Sequence, residues 1–231
     1  MNNKAFFKDK KAICIVFGVV FACVLMALVD GVWQPGYLIK SVCKVILFIG
    51  VMLTFALIHK NEIKSIKEIF RPSKKGVLVS LLLGTGVFAV ILGAYFILRG
   101  FYDFSSIAGL IEGIGVNGDN FVYVAIYISF MNSFLEEVFF RGFAFLILKE
   151  HSSRTLAYIF SSLTFAAYHV AIMNGWFNLP LFLLAMLGLF VGGIIFDFLN
   201  EKFHCIYLSW TVHMFANFGI NTIGFIILGI I

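Results

Sequence analysis

Seven apolar stretches follow one another along the chain, at 12–29, 37–58, 77–98, 121–148, 156–173, 179–199 and 206–230. Each is near the roughly 20 residues that a helix needs to cross the hydrocarbon of a bilayer. The pattern predicts an all-α, polytopic membrane bundle of about seven transmembrane helices, eight at most. Residues 1–231 form one transmembrane domain in this reading, since no polar stretch is long enough to fold alone. The fourth stretch is long, so it tilts or begins outside the hydrocarbon. Segment 100–120 is rich in Gly, with scattered acids, and predicts an external loop with one short interfacial helix.

The polar connections set the expected orientation. Lys4, Lys8, Lys10 and Lys11 precede the first stretch, and Lys60, Lys64, Lys67, Arg71, Lys74 and Lys75 fill the gap after the second. Segment 100–120, carrying Asp103, Glu112 and Asp119, has no basic residue. Lys149, Arg154 and Lys202 then fall in alternate connections. The positive-inside rule is obeyed throughout with the N-terminus cytoplasmic, in the plasma membrane if the cell is prokaryotic. The first stretch is longer than the apolar core of a signal peptide and reads as an uncleaved helix. Lys40 and Lys44 lie inside the second stretch. Lys40 can snorkel outward from near its start, whereas Lys44 needs a partner.

Composition agrees with the pattern. The chain is 61% hydrophobic and 13% charged, with 29 Phe, against about 25% charge in soluble domains. Its net charge of +5 is accounted for by loops flanking membrane stretches, so nucleic acid is not an expected partner. The lipid bilayer is. Cys14, Cys23, Cys43 and Cys205 form no CxxC pair and read as small buried hydrophobes.

Against this background the polar residues inside the stretches stand out. Glu136 and Glu137 are adjacent in the fourth, where a carboxylate costs about 2.5–3.5 kcal/mol on insertion scales. Arg141 follows Glu137 by four residues and shares its helical face, which leaves Glu136 over, pointing about 100° away. His169 lies in the fifth stretch; His213 and Asn217 share a face of the seventh. From their cytoplasmic ends, Glu136 and His169 lie about 20 Å deep, His213 about 12 Å and Asn217 about 18 Å. Four costly side chains on three helices therefore fall in one slab.

Such a set can hydrolyse a bond. A carboxylate in a low-dielectric pocket gains basicity, which suits taking a proton from water. Two imidazoles with a carboxylate or amide oxygen can hold Zn²⁺. Without a metal, imidazole and amide N–H groups can hold an oxyanion. There is no HExxH and no Gly-x-Ser-x-Gly elbow. A proton-coupled transporter is the competing class, since intramembrane acids and histidines also mark proton relays. The sequence has no repeat symmetry to support it.

Three motifs occur in order: Glu136-Glu137-Val-Phe-Phe-Arg141, Phe165-Ala-Ala-Tyr-His169 and His213-Met-Phe-Ala-Asn217. Together they resemble the CPBP family, the CAAX proteases and bacteriocin-processing enzymes also called Abi proteins. The resemblance covers about 121–222, a CPBP-like catalytic core, and leaves the first three stretches without a signature. It implies an all-helical intramembrane endopeptidase acting on a peptide or membrane-protein substrate. It implies that Glu136 activates water and that His169, His213 and Asn217 complete the site, as metal ligands or as an oxyanion pocket. Zn²⁺ on His169 and His213 is one expectation, and a metal-free glutamate mechanism the other. Glu137, Arg141 and Phe165 are expected to support the site. The compact chain looks like the prokaryotic members, which also include bacteriocin-immunity proteins. The alternative function is thus a non-catalytic immunity or scaffold protein of the same fold.

Overall fold

A computed structural model describes residues 7–231; Lys4 of the basic N-terminus lies outside the described residues. The helices are α1 (Lys10–Leu28), α2 (Tyr37–Ile58), α3 (Ile63–Glu68), α4 (Val77–Leu98) and α5 (Ser105–Gly113). The fourth apolar stretch is one rod from Phe121 to His151. It is built from α6 (Phe121–Tyr127), a π turn (Ile128–Asn132), α7 (Ser133–Glu136), an 11-residue π segment (Glu137–Ile147) and α8 (Leu148–His151). Then come α9 (Arg154–Ile172), α10 (Leu179–Phe203) and α11 (Ile206–Ile227). The short helix predicted in the 100–120 loop is α5.

Side-chain caps mark several starts. Asp9 Oδ1 accepts the backbone N–H groups of Lys11 (2.9 Å) and Ala12 (3.3 Å) at the head of α1. Ser153 and Asn178 do the same for Leu156 and Leu181 at the heads of α9 and α10. Each cap satisfies N–H groups that the first helical turn leaves over.

Among the described residues six helices are long and apolar enough to span a membrane. The seventh predicted span, α11, has 22 residues. Ser209, His213, Asn217 and Asn221 lower its apolarity, and all four are buried against other helices. The protein is integral to a membrane. Phe17, Leu38, Leu57, Leu82 and Val90 face outward, as a lipid-facing surface requires.

The ends alternate as the sequence pattern requires. At one end Lys8 Nζ donates to the carbonyls of Lys149 and Glu150, and Arg154 pairs with Glu201. At the other, the Tyr37 N–H donates to Ile114 O, and the Phe104 and Phe177 rings meet. Helix α11 lies along α4, α9 along α10, and α1 against α9 and α2. At the α9–α10 contact a Cβ on Gly193 would stand 2.9 Å from Ser162 Cα, so only Gly lets these backbones approach. Around the π segment Phe48, Phe139, Phe140, Phe143, Phe145 and Tyr168 close the core, with Phe48 and Phe139 stacked at 3.9 Å between ring centres.

A polar stripe on α11 fits the rod's wide turns. A π turn spaces its hydrogen bonds one residue further apart and leaves carbonyls without their usual partner. Trp210 Nε1 donates to Phe130 O (3.2 Å), Asn217 Nδ2 to Ile128 O (3.1 Å) and Asn221 Nδ2 to Ala125 O (3.2 Å). Each of these carbonyls also accepts a backbone N–H, from Ser133 or Ile128, so the α11 donors fill the second lone pair, which hydrocarbon would leave without water.

Candidate active site

Glu136 ends α7 in the middle of the rod and is 2% exposed. It is not left over. Lys44, from the centre of α2, donates from Nζ to Glu136 Oε1 at 3.0 Å and to Asn132 Oδ1 at 2.6 Å. Asn132 Nδ2 in turn donates to the same Glu136 oxygen at 3.0 Å. By sequence Lys44 and Glu136 each need a partner, on stretches that no local spacing connects. The reason for their pairing is tertiary: α2 packs against the rod. Lys40 differs too. It does not simply snorkel but lies 3.4 Å from Asp30, on the π turn that extends α1.

The second oxygen of Glu136 faces α11. Its Oε2 is 3.7 Å from His213 Nε2, while His213 Nδ1 is 2.9 Å from Glu137 Oε1. The two acids, expected to diverge by about 100°, thus converge on one imidazole. The change of winding at this point allows it, because a π segment begins at Glu137 and turns less per residue. The ring also presents two nitrogens, one to each acid.

The Glu137–Arg141 pair is present but loose. Arg141 Nε lies 3.7 Å from Glu137 and 3.9 Å from Asp197 Oδ1, without a hydrogen bond to either. The guanidinium is fully buried and lies over the Phe165 ring at 3.9 Å, with Phe196 at 5.1 Å. Flat aromatic faces attract a planar cation, most strongly where water is excluded. Asp197 is held further by the hydroxyls of Ser161 (3.1 Å) and Ser162 (3.2 Å).

Phe165 links the parts. Its ring lies against Arg141 and also meets His169 (4.8 Å) and His213 (5.9 Å). His169 also meets the Tyr168 ring (5.1 Å). Asn217 sits one turn beyond His213, but its amide nitrogen goes to Ile128 O. That carbonyl opens the π turn that ends at Asn132, so Asn217 braces the segment that presents Asn132 to Glu136. The structure therefore brings Glu136 and His213 face to face, with His169 beside them and Asn217 behind the turn. Lys44, Asn132 and Asp197 were not singled out for the site by sequence. A lone Lys in an apolar stretch was the signal for Lys44. For Asn132 it was the four-residue spacing to Glu136.

The partners fix the imidazole tautomers. A carbonyl and a carboxylate only accept, so His169 Nδ1 donates to Phe165 O (2.8 Å) and His213 Nδ1 to Glu137. In the neutral rings each Nε2 is then a lone pair. A zinc ion would need both lone pairs and Glu136 to converge. Among the described residues the one trio of His, Cys, Asp or Glu ligand atoms lying within 4.8 Å of one another is a different one. Glu136 Oε1 already holds an ammonium. Glu136, His169 and His213 do not form such a trio.

Residues 118–219 match the family model for Rce1-like type II CAAX prenyl endopeptidases. The match contains all three motifs and covers under half of the 231-residue chain. It agrees with the resemblance to CAAX proteases drawn from those motifs, and it supports an intramembrane endopeptidase of the CAAX type. No curated protein and no solved structure matches the chain.

Proposed function

We propose that this protein hydrolyses peptide bonds within the membrane, with Glu136 as the general base. The observation that carries this reading is the pair of acceptors 3.7 Å apart, Glu136 Oε2 and His213 Nε2. A water bonded to both at about 2.8 Å can bridge that gap. Its two hydrogens point to Glu136 and His213, and its lone pair is left for a carbonyl carbon.

Glu136 takes one proton as the water oxygen bonds to the scissile carbon, and the carbonyl becomes an oxyanion. Lys44 has three N–H groups and uses two, so its third and its charge are available to the oxyanion, as a donor fixed in advance. The C–N bond then breaks as Glu136 returns the proton to the departing amine. His213 is held for this by Glu137, whose charge Arg141 faces at 3.7 Å. His169 meets the same Phe165 ring as His213. Lys44 supplies the positive charge that a metal would otherwise bring, so the reading is metal-free.

The substrate must reach a site at mid-membrane depth, which favours a peptide carrying an apolar anchor. A prenylated CAAX terminus, named in the description of the matched family, meets that requirement. We place the N-terminus in the cytoplasm, on the charge of the connections.

The test uses the purified protein in detergent with a prenylated and an unlipidated peptide. Wild type should cleave, and Glu136→Gln should lose at least about 10²-fold in rate, the size of a lost general base. Undiminished cleavage by Glu136→Gln would overturn the reading. So would protection of cells from a bacteriocin that survives Glu136→Gln in a protein without peptidase activity; that result points to immunity or scaffolding. Activity that disappears with a metal ion lost on His213→Ala would overturn the metal-free part.

A further inference from the structure

A second group of ionisable side chains lies at the basic end of the bundle, roughly 20 Å along the rod from Glu136. Glu62, Glu150 and His151 bring ligand atoms within 4.8 Å of one another. Glu62 belongs to the turn between α2 and α3, and Glu150 and His151 end the rod. The His151 imidazole is nine-tenths buried.

Its two nitrogens are treated differently. Nδ1 lies 2.9 Å from Asp9 Oδ2, at the head of α1, so Nδ1 carries the proton in the neutral ring. Nε2 is buried, makes no hydrogen bond, and lies 3.2 Å from Glu62 Oε2. A lone pair thus faces a carboxylate oxygen, and two acceptors that close call for a cation between them. Each acid is also half committed. Glu62 Oε1 accepts from Lys11 and Glu150 Oε2 accepts from Ser65 Oγ, which leaves one oxygen of each uncommitted by these bonds.

We propose that His151 Nε2, Glu62 and Glu150 bind a divalent transition-metal ion of the Zn²⁺ class, with Asp9 orienting the imidazole. Two ligands about 2.0 Å from zinc in a tetrahedron stand about 3.3 Å apart, close to the observed 3.2 Å. One imidazole and two carboxylates leave a fourth position for water. An acid on the far ring nitrogen is the usual second support of a metal-binding His. The carboxylates of Asp9, Glu62 and Glu150 outnumber the nearby ammonium groups of Lys8 and Lys11, so the cluster without an ion is net negative and attracts a cation. Glu150 is exposed and gives the ion a way in. The ion would tie together the start of α1, the α2–α3 turn and the end of the rod that carries Glu136.

The experiment titrates metal-stripped full-length protein with Co²⁺, read by visible absorption, and with Zn²⁺, read by thermal unfolding. Wild type and Glu136→Gln should each bind one ion, which separates this site from the catalytic one. Glu150→Gln, at an exposed position that leaves folding intact, should bind at least tenfold more weakly, and His151→Gln should abolish the Co²⁺ bands. Absence of saturable binding in wild type would overturn the proposal. Equal affinity in wild type and Glu150→Gln, or binding lost in Glu136→Gln, would do the same.

Discussion

Lys44 Nζ lies 3.0 Å from Glu136 Oε1 and ties the second membrane stretch to the fourth. Both groups are almost wholly buried, so neither charge has water to fall back on. Removing one partner of such a pair costs about 3–5 kcal/mol, because the other remains charged and unpaired. Replacing both with neutral groups is far cheaper.

Lys44→Met should therefore lower thermal stability strongly, while Lys44→Met combined with Glu136→Gln should recover much of the loss. Unfolding followed in detergent, on both single variants and the double, gives the coupling. Additive losses would show that the two charges do not depend on each other.

Glu137 touches the proposed site through His213 Nδ1. Glu137→Ala should lower kcat by at least tenfold and leave KM nearly unchanged, since the imidazole loses its orientation and the substrate pocket does not. Glu137→Gln keeps an accepting oxygen and should restore part of the rate. Equal rates for the two variants would mean that Glu137 acts only on the rod.

Arg141 stands between two buried acids and two rings. Arg141→Met should destabilise by about 3–5 kcal/mol, as Glu137 and Asp197 are left without their cation. Arg141→Lys should recover little, because an ammonium cannot cover the Phe165 face as a guanidinium does. Full rescue by Lys would show that charge alone matters there.

Much of the architecture was legible because the bilayer imposes so few solutions. Helices α2 and α4 match the predicted 37–58 and 77–98 at both ends. The alternation of basic and acidic connections anticipated which loops would share an end. The winding of the rod was not legible. Nothing in Phe-Leu-Glu-Glu-Val-Phe-Phe-Arg announces wide turns, and the α11 side chains that meet the rod's carbonyls come some ninety residues later. With the winding hidden, the convergence of Glu136 and Glu137 on His213 was hidden too. Motif order found the acids and the imidazoles. It could not find Lys44, whose partner is fixed by packing between helices.

The α9–α10 contact gives a test of packing at a distance from the proposed chemistry. A methyl at Gly193 would meet Ser162 Cα and Cβ at 2.9 Å, and backbone cannot swing aside as a long side chain can. Gly193→Ala should cost about 1–3 kcal/mol by overpacking. It should also push Ser162 off Asp197 and so loosen the support of Arg141. A variant as stable as wild type would mean that α10 slides freely on α9.

The charged cluster at the basic end makes stability depend on acid. Asp9 and Glu62 lie outside the membrane stretches. At both, burial opposes the charge; His151 with two backbone N–H groups outweighs it at Asp9, and Lys11 with His151 does so at Glu62, leaving both carboxyls below their usual range. A carboxyl whose folded value is depressed contributes fully above its unfolded value, about 4, and loses that contribution as pH falls through the folded one. Stability in the presence of chelator should accordingly hold near neutrality and fall below about pH 4. Glu62→Gln should flatten the fall, since an amide has no proton to gain. Unfolding midpoints of the two proteins between pH 7 and pH 3 decide it; parallel curves would assign the acid sensitivity to other carboxylates.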